Sequence, residues 1–301
     1  MKQNKLILLC LLSLFLLTSC AMTANPLTRA QSTPVPGLPA PDLTVTNTDE
    51  QSDQMDICLF FRYQQSGLLA CETRRITLPK DESAELAVLR QLLSGPQASH
   101  TDLVRLFPHG TTVTDVTATD DTLLITLSDG LLNDGIPANW ADDPNWKNEA
   151  PLRRMVTLQS LVATMTENFS YPYVQIFIAH EQASNVSTRL DSSYWLDGSS
   201  GPSERLYRDE SLLMTMQNTA LHLLDAWYRR HYEQLYQFTA LSPADDERPF
   251  YQDFVRELDS CLPLTAYTVS AGHSPAGSNR ATLTMDITCM LDNREVLFPS
   301  V

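Results

Sequence analysis

The chain has 301 residues, with 21 basic against 36 acidic side chains and a formal charge of −15. So acidic a surface repels nucleic acid and anionic lipid headgroups, which argues against both as direct partners. The length suffices for two domains with cores of their own, and the low glycine count with 43% hydrophobic residues excludes a fibrous or wholly disordered chain.

The first segment is an address. Lys2 and Lys5 precede an apolar run from Leu6 to Leu17, and small polar residues lead to Cys20, the three-part pattern of an export signal. A spanning helix needs roughly 20 apolar residues, and this run stops well short of that, with no stop-transfer charges after it. Leu17-Thr18-Ser19-Cys20 resembles the lipobox of bacterial lipoproteins, in which the cysteine thiol is diacylated and the chain is cut before it. The resemblance implies a signal peptide over 1–19, lipid on Cys20, and a place on the extracytoplasmic face of the cell membrane. Each buried CH₂ contributes about 0.8 kcal/mol, so two or three acyl chains such as palmitate anchor stably where one is marginal. Loss of 1–19 discards Lys2 and Lys5 and no acid, which takes the formal charge from −15 to −17 and leaves the lipid as the anchor.

Residues 20–55 read as a disordered tether. From Ala21 to Gln54 no aromatic residue occurs, and Pro26, Pro34, Pro36, Pro39 and Pro41 interrupt Thr, Ser, Asn, Gln and Asp. A coil of this length spans on the order of 30 Å, enough to lift a domain off the headgroups.

The region 56–180 carries regular periodicities. Ile57 to Tyr63, a Gln-Gln-Ser-Gly turn and Leu68 to Leu78 read as a hairpin. A short helix follows, with Asp81, Glu82 and Glu85 at its start, Leu86, Leu89, Leu92 and Leu93 on its apolar face, and Gly95-Pro96 as its stop. Thr112 to Thr117 and Leu123 to Leu127 form a second hairpin, turning at Asp120-Asp121. After a long acidic loop, Met155, Leu158, Val162 and Met165 mark a helix over Leu152 to Glu167, and Tyr173 to Ile178 a further strand. The order ββαββαβ predicts an α+β fold, a two-layer sandwich of mostly antiparallel strands with helices on one face.

Five segments in this order resemble the GerMN module of sporulation and germination lipoproteins. They are Leu59-Phe60-Phe61 with Thr73-Arg74-Arg75-Ile76, Leu92-Leu93-Ser94-Gly95-Pro96, Phe107-Pro108-His109-Gly110-Thr111, Leu124 to Ser128, and Ser160 to Thr166. The resemblance spans Ile57 to His180 and departs from the module in a long insertion, Asp129 to Pro151, and in Ala179-His180-Glu181 where a glycine-bearing turn is usual. It implies a role in assembling or localising a complex during spore formation or germination.

Residues 181–206, rich in Ser, Asn, Asp and Gly, read as a linker or edge hairpin with one short strand around Tyr194-Trp195-Leu196. In 207–301, Leu221, Leu224, Trp227, Tyr228, Leu235 and Phe238 mark one long amphipathic helix, and Phe250, Phe254, Val255 and Leu258 a shorter one. Two strands follow, Thr265 to Ser270 and Ala281 to Met290. This smaller C-terminal α+β domain resembles the start of an abbreviated NTF2-like cone.

No catalytic constellation stands out. Neither G-x-S-x-G nor H-E-x-x-H is present, and the six histidines are scattered. Outside the membrane, Cys58, Cys71, Cys261 and Cys289 make two local bridges or remain buried free thiols. Trp140, Asp142, Asp143 and Trp146 form a candidate ligand loop, with oxygen ligands for calcium and rings for a sugar, or else an edge of the core with solvated acids. Arg74-Arg75, Arg153-Arg154 and Arg229-Arg230 read as structural charges, and Trp227-Tyr228-Tyr232-Tyr236 as core.

The reading is therefore a membrane-anchored, non-enzymatic docking module whose partners are envelope or sporulation proteins, with no cofactor, resident metal or nucleic acid implied. The alternative is an envelope ligand- or glycan-binding protein or enzyme that uses its C-terminal domain.

Overall fold

The computed structural model describes residues 53–180, 186–238, 249–274 and 281–299, all within one compact unit, Gln51–Val301. The export signal, Cys20 and nearly all of the tether lie outside the described residues.

β1 (Gln54–Tyr63) and β2 (Leu69–Thr77) pair antiparallel, from Gln54 opposite Thr77 to Arg62 opposite Leu69. In β2, Glu72, Arg74 and Ile76 are buried while Cys71, Thr73, Arg75 and Thr77 are exposed, the period of two of a strand with one solvated face. Buried Arg62 ties the turn: its Nε donates to the Ser66 carbonyl at 2.7 Å, and its guanidinium meets Glu149 at 2.8 Å. A short β3 (Leu103–Val104) joins the far edge of β1 at Arg62 and Tyr63.

The first helix, α1 (Ala84–Ser94), starts where the Ser83 hydroxyl accepts from the Leu86 amide at 3.2 Å, a cap that contributes about 1 kcal/mol. It stops at Gly95, whose φ of 90° suits glycine alone and whose N–H returns to the Leu92 carbonyl. A buried pair then locks that stop in place. Arg74 Nε donates to Glu72 at 2.9 Å and its Nη2 to the Gly95 carbonyl at 3.1 Å, while Glu72 accepts the Gln97 amide at 2.9 Å.

β4 (Val113–Ala118) and β5 (Thr122–Ser128) form the second hairpin, and β6 (Tyr173–Ala179) and β7 (Ser187–Arg189) complete a sheet ordered β4-β5-β6-β7. Its central pair, β5 with β6, is parallel. Parallel neighbours need a long crossover, and α2 (Glu149–Asn168), 20 residues long, is that crossover.

Polar residues on the buried face of α2 close the open edge of β1. Thr164 Oγ1 accepts the Phe60 amide at 3.0 Å, and Ser160 Oγ donates to the Phe60 carbonyl at 2.5 Å. One turn on, Asn168 takes both backbone groups of Cys58, at 3.0 and 2.7 Å. An unpaired backbone group in this position would cost about 1–3 kcal/mol, which explains a fully buried serine and threonine amid apolar neighbours. Around this line both sheets and both helices share one core, with Leu59, Phe61, Leu89, Leu92, Ile125 and Leu161 wholly enclosed.

The stretch expected to be a linker or edge hairpin is largely part of that core. Leu190, Tyr194 and Trp195 join it and Leu206 bridges Val174; past the stretch, Leu213 joins it too and bridges Leu69. The strand expected around Tyr194-Trp195-Leu196 is instead a single 3₁₀ turn, Ser192–Tyr194, because the Asp191 carboxylate accepts the amides of Ser193 and Gly201 and folds the segment back.

Beyond Leu213 the chain forms α3 (Met216–Tyr228), α4 (Tyr232–Gln237) and α5 (Tyr251–Ser260), then a three-stranded antiparallel meander of β8 (Leu264–His273), β9 (Thr282–Leu291) and β10 (Arg294–Phe298). The one helix expected across Leu221 to Phe238 breaks at Arg230, which takes a φ of 59°. Strand β10 was not foreseen; Asp292 and Asn293, with φ of 47° and 60°, make the two-residue turn that starts it. Among the described residues, the extra strands that would curl this unit into an NTF2-like cone are absent.

Candidate functional site

The insertion folds over one end of the first core. A Cβ at Gly130 would lie 2.7 Å from the Gly110 carbonyl oxygen, so the insertion can seat on the Pro108–Thr111 loop only with glycine there. Further along, Trp140 is buried. The Arg154 guanidinium lies 6.0 Å from its ring centre and 4.8 Å from that of Tyr194, and pairs with Asp134 at 2.6 Å. The candidate loop is thus split: Trp140 belongs to the core, Asp142 faces solvent, Asp143 accepts the Asn145 amide, and Trp146 is half-buried. Among the described residues no group of three or more His, Cys, Asp and Glu side chains is placed to hold a metal ion.

Next to this cover lies a cleft of about 370 Å³, floored by Leu132, Ile178 and Leu190 and rimmed by Arg154, Arg189 and Asp191. His180 Nε2 sits 2.8 Å from the Thr188 hydroxyl at its side. Hydrogen bonds from Ser193 and then Gly201 hold the Asp191 carboxyl below its usual range, and burial followed by the nearby Asp134 charge pushes the Tyr194 hydroxyl well above the phenol range. Asp191 and Arg154 are thus committed to shaping the chain, and the cleft is suited to recognition through Arg189 and its apolar floor.

The cysteines divide. Cys58 and Cys71 are joined by a disulfide across β1 and β2, whereas Cys261 and Cys289 are free, one exposed and one buried. Cys261 ends α5 with its thiol donated to the Glu257 carbonyl at 3.4 Å, turned toward its own helix. Burial pushes the Cys289 thiol up.

The paired arginines separate as well. Arg74 is buried on Glu72, while Arg75 pairs with Asp56, Arg229 with Asp225 and Arg230 with Asp259 as exposed surface charges. In the aromatic stripe Trp227 packs on the second core and Tyr236 stands edge-on to Tyr251 and Phe254, whereas Tyr228 is exposed and Tyr232 bonds Asp259.

Among the described residues, two of the solvent-exposed strand rows belong to the first core. One is the outer face of β2, from Cys71 to Thr77; the other is β4, which ends its sheet and exposes Thr114, Asp115, Thr117 and Ala118.

Residues 59–182 match the family model described as Germane, sporulation and spore germination. Over these residues the chain carries a GerMN-like region. Among solved structures, the first GerMN domain of the sporulation protein GerM from Bacillus subtilis is 21% identical, with 51% of this chain and 98% of that chain covered and a TM-score of 0.34. The tandem GerMN domains of the same protein are 10% identical, with 55% of this chain covered and a TM-score of 0.33; the match spans 49% of that chain, about half its length. No curated protein matches the chain.

Within the GerMN domain the quoted segments have physical roles. Leu92-Leu93-Ser94-Gly95-Pro96 is the helix stop gripped by Glu72 and Arg74, and Ser160 and Thr164 close the edge of β1. The cleft beside β7 has no signature in the sequence, because Leu132, Arg154 and Arg189 come from three distant segments. The Ser160, Thr164 and Asn168 line was missed in the sequence, where its signal is a polar row at i, i+4 and i+8 on a buried helix face.

Proposed function

We propose that this protein is a lipid-anchored, extracytoplasmic docking module in sporulation or germination, with no catalytic role of its own. The GerMN domain match over 59–182 carries the reading. The lipid on Cys20 fixes the chain to the outer face of the cell membrane, and the Pro-rich tether holds the domain away from the headgroups. Envelope proteins are the partners, met at the open edge of β4, where an added strand gains main-chain hydrogen bonds without reshaping the core, and by side-chain contacts on the exposed face of β2.

The test is capture from detergent-solubilised membranes of cells making the full chain. The same envelope protein should return in each preparation, and Cys20→Ala should move the chain from the membrane pellet to the soluble fraction. A chain that still sediments after that substitution, or that never returns a partner, contradicts the reading.

A further inference from the structure

The C-terminal unit holds an apolar cleft of about 620 Å³ between α3 and β9. Met216, Ala220, Leu223 and Leu224 line it from one face of the helix, Leu283 and Met285 from the strand. Well-packed interiors leave few voids larger than a water molecule, and ligand sites run to about 300–1,000 Å³, so this volume is of ligand size. Among the described residues the lining has no ionisable side chain, and its polar side chains are Thr215 and Thr219. Thr215 is engaged as the cap of α3, accepting the Asn218 amide at 3.1 Å, which leaves Thr219 to meet a ligand. On the sheet side, Gly272 braces the wall: a Cβ there would fall 2.6 Å from Leu283 Cδ2, so the neighbouring strand lies hard against the side chain that faces the cleft. Methionines at both walls adapt to chains of differing shape.

We propose that this cleft binds a neutral molecule bearing one flexible alkyl chain, such as an acyl or prenyl alcohol or ester, with an uncharged oxygen near Thr219. The chain lies along α3 between the helix and β9. Among the described residues no cation lines the cleft to offset the burial of a carboxylate or phosphate, and the chain is acidic, so a charged head group is disfavoured there.

The test uses the chain produced without residues 1–20, which retains the whole compact unit Gln51–Val301. The neutral fluorophore N-phenyl-1-naphthylamine should bind saturably at one site and be displaced by straight-chain primary alcohols, each added CH₂ tightening displacement about fourfold until the cleft is full. Decanoate should compete about tenfold less well than decanol. Ala281→Trp and Met216→Trp, both at exposed lips of the cleft, should each weaken the probe about tenfold, whereas Phe254→Ala, in the adjoining hollow farther along α3 and not itself a lining residue of the cleft, should not. Absence of saturable binding, indifference to both lip substitutions, equal competition by decanoate, or loss on Phe254→Ala would each overturn the proposal. Capture of envelope partners is unaffected by any of these outcomes, so the two readings fail separately.

Discussion

The GerMN domain and the C-terminal unit use the same materials, amphipathic helices against short strands, and reach different ends. In the first, two sheets and two helices enclose a shared core, and even the backbone edge of β1 is closed by side chains of α2. In the second, one helix lies on three strands, and among the described residues the buried cluster at its centre is Leu224, Leu264 and Cys289. Two apolar clefts adjoin along α3, meeting at Leu223 and Leu224, and Phe250 and Leu297 are largely exposed. A layer without a second cover cannot fill its own interior. Rigidity and spare apolar surface are thus divided between the regions, the first suited to presenting edges and the second to accepting something.

Substitutions that empty each core sharpen this contrast most. Phe61→Ala should cost about 3–5 kcal/mol and unfold the GerMN domain, while Leu224→Ala should cost about 2 kcal/mol, because a loosely packed site relaxes around the loss. Thermal unfolding followed by near-UV dichroism checks both, and equal costs would break the contrast. Ser160→Ala comes next: it leaves the Phe60 carbonyl unpaired and should cost about 1–3 kcal/mol in chemical denaturation. A neutral result would show that β1 does not depend on α2 for its edge.

The smallest effect concerns the seam. His222 of α3 stacks 5.3 Å from Phe238, which in turn lies 5.2 Å from Tyr63 at the end of β1, and its Nε2 is buried without a hydrogen bond. Desolvation lowers its pKa below the ordinary 6.5, against the opposing charge of Asp225. A histidine depressed in the fold binds its proton more readily when unfolded, so its stabilising share is complete above about pH 6.5 and shrinks as pH falls below that value. Melting of the C-terminal unit should therefore move down modestly from pH 7 to 5, and His222→Phe should flatten that slope. An unchanged slope would mean that the ring is not held neutral at the seam.

Legibility in the sequence follows the range of the interactions. Both hairpins, α1 and α2 announce themselves by period, since each side chain's environment repeats along its own segment. The parallel β5–β6 pairing does not, because it depends on where a 20-residue crossover returns. Tyr194 and Trp195 look like strand residues, but a carboxylate three positions before Tyr194 sets their backbone. The turn into β10 had a local signal in Asp292-Asn293, while the break at Arg230 had none, for neither glycine nor proline marks it. Of the candidate sites, Cys58 and Cys71 stand on consecutive strands, a placement that leaves a bridge or two free thiols open, whereas Asp134, Arg154 and Tyr194 meet only in three dimensions.

Docking through an open strand edge is the central claim, and β4 offers the most direct measurement. Thr119 donates to Thr122 at the turn, so alternation along the ladder directs the Ala118 amide outward, away from β5. Ala118→Pro removes that donor and keeps the hairpin's own bonds. Partner capture from solubilised membranes should then fall about tenfold with thermal stability unchanged. Full capture by the Ala118→Pro chain would contradict the account and move the contact away from β4.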